Sequence, residues 1–233
     1  MGAQERQQKE KLILEASIKL FTEKGYHATK MEDVAKASKI SKGLTYFYYK
    51  NKEDLYMAVT KKAYDELKDV FRYNIKIKGR NGLDMLIELS NNYFKFAKNN
   101  RMFYDAILNF MGLVQLYNDE NLKSNIDPLV LASEHFQKLL EVHHDCGKIG
   151  TQMVVQGIKD GSIRPELQPE ATFYTIWAML VGYERLLGPV GFEGKDAKIN
   201  LETWKPSFNR LLQDMLKGTF QAQKVQPVQG SLF

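Results

Sequence analysis

Cysteine is nearly absent from this sequence: Cys146 is the only one in 233 residues. A lone thiol excludes an internal disulfide and a multi-cysteine zinc site, and it suits a reducing cytoplasm. Long apolar runs are missing as well. The longest nearly uncharged stretch, Phe173 to Tyr183, falls well short of the ~20 residues needed to span a bilayer. It predicts a buried helix, and no membrane partner is expected. Met1 to Lys11 is polar and charged, which offers neither a secretory signal nor an anchor. No window alternates with period two between hairpin turns, no internal repeat is found, and no heptad run is long enough for a coiled coil. Phosphate loops, nucleophile elbows and carboxylate pairs do not stand out either. The chain is not expected to be an enzyme, and no cofactor is expected.

One compact group speaks for the enzyme class. His143, His144, Asp145 and Cys146 are consecutive, but neighbours on a helix point apart, so only His143 and Cys146 share a face. As a metal pair they lack identified partners, and a solvated helix face is the alternative; no metal is assigned. His135 reads as a surface or core residue.

What the chain does have is the balance of a folded, water-soluble protein, with 44% hydrophobic and 26% charged residues. Its length exceeds a typical single domain of roughly 100–150 residues, which predicts one small domain joined to a larger one. The net charge is +5, and its location says more than its size. Residues 1–75 carry 15 Lys+Arg against 11 Asp+Glu, a net of +4, and residues 76–233 carry 18 against 17. Within the first third, Lys30, Lys36, Lys39, Lys42, Lys50 and Lys52 face only Glu32 and Asp33. Such a cluster is either a solvated face or a footprint for phosphates.

Apolar residues recur at helical spacing almost throughout, so the chain reads as all-α. Ile13, Ala16, Leu20 and Phe21 form a stripe that predicts a helix over about residues 8–24, stopped by Gly25. Thr29 with Glu32 has the pattern of a capping box for a short second helix carrying Met31, Val34 and Ala35. Ser38 to Ser41 interrupts it, Ser41 caps a third helix from Lys42 to Tyr49, and Asn51 caps a fourth that runs toward Tyr73. A loop over Lys76 to Gly82 is the expected domain boundary. Further helices are predicted near 83–99, 101–117, 128–160, 169–187 and 201–220, with a polar loop from Gly188 to Asn200 and a frayed tail over 222–233. The expected division is 1–75 for a small domain with its connecting fourth helix and 76–221 for a larger helical domain.

Two short helices around a four-residue turn have the proportions of a helix-turn-helix. The stretch from Ile13 to Leu55 resembles the DNA-binding domain of the TetR family of bacterial regulators. The residues that carry the likeness are Phe21, Gly25-Tyr26, Thr29, Met31, Val34-Ala35, Ile40-Ser41-Lys42-Gly43, Tyr46 and Lys52-Glu53-Asp54-Leu55. Physical roles for several of them stand without the family. Ser41 and Lys42 open a helix whose free amides and partial positive charge suit phosphates. Gly43 removes a side chain where backbone would approach DNA, or is simply tolerated near a helix end. Tyr46-Phe47-Tyr48-Tyr49 cannot all face a core on one helix, so some are exposed. The resemblance implies that Tyr46 and Lys52 bind phosphate, that Tyr49 packs inward, and that Phe47 and Tyr48 reach into the major groove. It departs at Lys30, where the family usually has a hydroxyl that caps the helix and touches phosphate; Thr29 is expected to take over the cap while Lys30 supplies charge. It also departs at Thr45, where leucine is usual, with Leu44 at a position that often contacts bases.

In the larger domain, Tyr93, Phe96, Phe103, Tyr104, Phe110, Met111, Phe136 and Met153 are more aromatic and thioether surface than a bundle requires. Individually each suits a core; together they suggest a cavity for a lipophilic or aromatic molecule. In the last two helices Trp177, Leu180 and Val181, then Phe208, Leu211, Leu212 and Met215, cover a wide apolar arc, which suggests helices docking across a two-fold axis. The resemblance implies the same dimer, a palindromic double-stranded DNA operator, an unidentified small-molecule effector and a cytoplasmic repressor. A DNA-binding or DNA-organising protein of the same fold without an effector is the alternative.

Overall fold

The computed structural model describes residues 2–77, 79–187 and 201–219; the predicted loop over 188–200 and the tail over 222–233 lie outside them. Among the described residues the chain is helical throughout, with no strand and no helix long and apolar enough to cross a membrane.

Helix α1, Ala3–Lys24, stops at Gly25, whose φ of 80° lies in the region that glycine alone adopts freely. Helix α2 is Met31–Ser38, and its start corrects the expected cap. Thr29 is buried, and its hydroxyl donates to the carbonyl oxygen of Gly25 at 2.8 Å, closing the end of α1 instead. Lys30 stands at the cap position, where its amide donates to the Asp33 carboxylate at 3.2 Å. The carboxylate half of a capping box is therefore present, shifted by one residue from the Thr29 and Glu32 pattern. Lys39 ends α2 with φ 58°, a left-handed residue that lets the chain turn sharply.

Helix α3, Lys42–Tyr48, begins as expected: the Ser41 hydroxyl accepts from the amide of Leu44 at 3.3 Å. Asn51 caps α4, Lys52–Lys76, by accepting from the amide of Asp54 at 2.7 Å. Helices α5, Gly82–Asn99, and α6, Arg101–Asn118, follow close to their predicted bounds. The single helix expected over 128–160 is three: α7, Pro128–Leu131, α8, Glu134–Val142, and α9, Asp145–Asp160. Asp127 and Ser133 cap α7 and α8 through their side chains, and the Ser133 hydroxyl serves the amides of both His135 and Phe136. These local bonds offer the backbone an alternative to continuing one helix. Helix α10 is Pro169–Leu186 and α11 is Leu201–Lys217.

The helices collect into two compact units. The first comprises residues 1–76 and 91–149, the second residues 77–90 and 150–233. Ile13, Phe21, Val34, Tyr49, Leu55 and Val59 form the buried centre of the helix-turn-helix. Farther along the first unit, aromatic rings pack edge to face, with Tyr64 against Phe110 at 5.5 Å, Phe110 against Phe136 at 5.8 Å and Tyr93 against Tyr104 at 6.2 Å. In the second unit α5 starts against α9: a Cβ on Gly82 would overlap the backbone of Gly157. The turn after α9 caps that start, with Asp160 accepting from the amide of Gly82 at 2.8 Å and Ser162 from that of Leu83 at 3.1 Å. Tyr183 of α10 lies 4.5 Å from the Trp204 ring and 5.1 Å from Phe208 of α11.

Candidate nucleic-acid interface

Helix α3 sorts its side chains by turning 100° per residue. Thr45 and Tyr49 point inward and are buried, the Thr45 hydroxyl donating to the carbonyl of Ser41. Lys42, Gly43, Tyr46 and Phe47 share the opposite face and are exposed, Phe47 by 67%. Leu44 and Tyr48 sit at the flanks, half-buried, and the Tyr48 ring meets Phe47 edge to face at 5.6 Å. Lys30, Lys36, Lys39 and Lys50, in the segments before and after α3, are exposed as well. The arrangement presents cations with an aromatic ridge, the combination that suits phosphates outside and base edges within a groove.

A Cβ built on Gly43 meets nothing within 4 Å. No neighbour inside the protein requires glycine there, which leaves space for a close approach from outside.

The two lysines expected at phosphates are already engaged. The Lys42 ammonium is 2.7 Å from Glu32 of α2, and that hydrogen bond holds the Lys42 pKa above and the Glu32 pKa below their ordinary values. Lys52 donates to the carbonyls of Tyr26 and His27 at 3.1 and 3.4 Å and lies over the Tyr26 ring. Two of its three N–H groups are thus turned into the protein. The same tyrosine donates its hydroxyl to Glu53 at 3.0 Å, so the start of α4 is fastened to the loop between α1 and α2. Thr29, buried with its hydroxyl committed, presents nothing to DNA.

Asp54, one residue after that fastening, is a site that sequence reasoning passed over. It is buried, yet one oxygen lies 2.6 Å from the hydroxyl of Ser133 and 3.0 Å from Nδ1 of His135, and the other accepts from the amide of Lys50. Burial pushes its carboxyl up, but the bonds from His135 and Ser133 outweigh that and hold it below its ordinary value. His135 is thus neither a plain surface nor a plain core residue. The Asn51-to-Asp54 spacing is a local capping signal; the partners 79 and 81 residues away leave no such trace.

Residues 13–59 match the sequence model of the tetR family of bacterial regulatory proteins. In that segment the chain is similar to the tetR family. Among similar proteins, the HTH-type transcriptional regulator YuxN of Bacillus subtilis (strain 168) is 47% identical over 73 residues, 31% of this chain and 24% of that protein. The HTH-type transcriptional repressor KstR2 of Rhodococcus jostii (strain RHA1) is 27% identical over 163 residues, 69% of this chain and 71% of that one. The chain thus spans about a quarter of the first relative and less than three quarters of the second. In fold it is similar to the transcriptional regulator FadR of Bacillus subtilis in complex with stearoyl-CoA, with a TM-score of 0.59 at 19% identity over 88% of this chain and 97% of that one.

The residues expected around an effector are mostly packed. Tyr93, Phe96, Phe103, Tyr104, Phe110 and Phe136 are buried in the first unit and Met111 is half-buried there, while Met153 is buried in the second. Phe96 lines an open cleft of about 460 Å³ with Val70 and Tyr73, and with the polar Glu66, Asp69, Lys95 and three asparagines. Among the dimer candidates, Leu180 and Leu212 are 0% exposed within the single chain and Phe208 is buried. They serve the core of their own unit and are not available to a partner. Leu211 is 56% exposed, and Trp177, Val181 and Met215 are half-buried. Tyr174 and Leu186 are exposed on α10 beside Ala178 and Gly182, an apolar stripe that the sequence reading did not single out.

His143 and Cys146 do not assemble a metal site: the described residues hold no group of three or more His, Cys, Asp or Glu side chains that could bind one. Nδ1 of His143 is 2.7 Å from the carbonyl of Leu140, and burial pushes the buried Cys146 thiol up to about 12.

Proposed function

We propose that the chain is a ligand-responsive transcriptional repressor that binds a palindromic DNA operator as a homodimer in the cytoplasm and is released by a lipophilic small molecule. The observation that carries the reading is the exposed face of α3, with Lys42, Gly43, Tyr46 and Phe47 outward and exposed lysines in the segments before and after it. In this reading residues 1–75 read DNA, and Lys30, Ser41, Leu44, Tyr48 and Lys52 join that contact at its margins. Residues 76–221 supply the dimer contact and, with Val70 and Tyr73 at the end of α4, the effector site, and no reaction is catalysed. The repressor KstR2 and the FadR complex with stearoyl-CoA among the similar proteins support the repressor and the lipophilic effector. The open cleft beside Phe96 offers a volume within the usual range of about 300–1,000 Å³ for such ligands.

A ligand releases DNA only by binding the released conformation more tightly, and linkage makes operator weaken the ligand by the same factor. The test enriches duplexes from a random library with the full chain, then titrates stearoyl-CoA with and without the enriched duplex. A palindromic consensus and ligand binding weakened about 5–150-fold by DNA are expected. Enrichment with equal stearoyl-CoA binding in the two titrations would leave the effector-free reading standing.

A further inference from the structure

A single buried carboxylate joins three parts of the first unit that lie far apart in sequence. Oδ2 of Asp54 accepts from the amide of Lys50, at 3.2 Å. Lys50 follows Tyr49, the residue that ends α3. Oδ1 accepts from the Ser133 hydroxyl at 2.6 Å and from His135 at 3.0 Å; an ionised carboxylate has no proton of its own, so the imidazole Nδ1 is the donor. Ser133 is the cap of α8 and His135 lies in its first turn. The His135 ring also lies 5.7 Å from that of Tyr49, which is buried. The start of α8 therefore meets the ring of Tyr49, just past the end of α3, and through Asp54 is tied to the amide of Lys50 that follows it.

Resting on the DNA-binding reading, we propose that Asp54, Ser133 and His135 are positioning residues for operator recognition, through which α8 fixes the orientation of α3 and its exposed Phe47. If packing were the only requirement, apolar side chains of similar volume would meet it at no loss, since buried ion pairs seldom out-stabilise them. A directional cluster instead specifies one placement of the corner between α3 and α4, because two bonds on one oxygen and one on the other leave the carboxylate little freedom to rotate. Loosening it leaves α3 folded but spreads it over orientations, and the apparent affinity for a specific duplex falls by the fraction that remains competent. Phosphate attraction depends on charge more than on orientation, so binding to random DNA is little altered.

The cluster is tested with the full chain and the duplex enriched by wild type, each affinity compared with that for random duplex. Ser133→Ala and His135→Ala are each expected to lower the ratio of specific to random affinity by about 5–30-fold, the factor that corresponds to 1–2 kcal/mol. Ser133→Thr, which keeps the hydroxyl, restores most of the ratio, and neither alanine change has a further effect in an Asp54→Asn background. Circular dichroism identifies the folded variants. An unchanged ratio in folded Ser133→Ala and His135→Ala overturns the proposal, as does an equal loss on both duplexes. Failure of the wild type to enrich any duplex overturns the DNA-binding reading itself.

Discussion

The Lys52 ammonium lies 4.3 Å from the centre of the Tyr26 ring and 3.1 Å from that residue's carbonyl oxygen. One side chain thus satisfies the loop between α1 and α2 and places a cation over an aromatic face. Charge-assisted hydrogen bonds and a cation–π contact are each worth about 1 kcal/mol or more when partly desolvated. Lys52→Met is expected to lower stability by about 1–2 kcal/mol, read from urea denaturation, in addition to any loss at phosphate. A variant as stable as wild type would show that these contacts are incidental.

Lys42 has a different constraint. Its partner Glu32 stands on the surface, and exposed ion pairs contribute little to stability. Lys42→Ala should therefore leave the melting temperature nearly unchanged and make the slope of log affinity against log salt shallower by about one. Glu32→Gln removes a negative charge beside the duplex and frees the ammonium. Tighter binding at low salt is expected, and weaker binding would mean that Glu32 holds Lys42 in the required place.

Gly43 separates stability from function. Alanine is favoured over glycine within a helix by about 0.5–1 kcal/mol, and the added methyl meets no atom within 4 Å. Gly43→Ala is expected to raise the unfolding midpoint while weakening operator binding at least several-fold. If binding is unaffected, the glycine is merely tolerated.

Local chemistry explains how much of this was legible in the sequence. Ser41, Asn51 and Gly25 announce helix ends through bonds and dihedrals confined to four or five residues, and their positions agree with the structure. The breaks around Ser133 and His143 were missed because apolar spacing from Leu129 to Met153 continues across them. Thr29 and Lys30 differ by one position, and a hydroxyl beside a helix start can serve the helix before it as readily as the one after. Leu211 and Leu212 lie in one apolar arc of α11, but periodicity cannot tell a chain's own core from a surface left for a partner. The Asp54 cluster is set by tertiary contact alone.

Acid should act on that cluster in a defined direction. The Asp54 carboxyl is held below its ordinary value in the folded chain. Its contribution is therefore complete above the unfolded value of about 4 and is lost as pH falls through the lower folded value. Asp54→Asn should be less stable than wild type at pH 6, with the difference shrinking steadily as pH is lowered below about 4. Melting temperatures of both proteins across that range provide the check. A difference that stays constant with pH would assign the loss to packing and not to charge.

The exposed stripe on α10 predicts where two copies meet. Tyr174 and Leu186 are exposed, with Ala178 and Gly182 between them at helical spacing, and small residues allow two helices to approach closely. A side chain at Gly182 meets nothing within 4 Å in the single chain, so Gly182→Arg should leave each protomer folded while placing a charge in the contact. The expected result is a monomer by light scattering with an unaltered circular dichroism spectrum. Operator binding should then fall at least tenfold, because one protomer reaches one half-site and the second, about 34 Å away, is no longer tethered to it. Affinity for a duplex carrying one half-site should be unchanged in the monomer. A Gly182→Arg protein that remains dimeric and binds the palindrome as wild type does would move the contact off this face, leaving the exposed Leu211 of α11 as the next position to substitute.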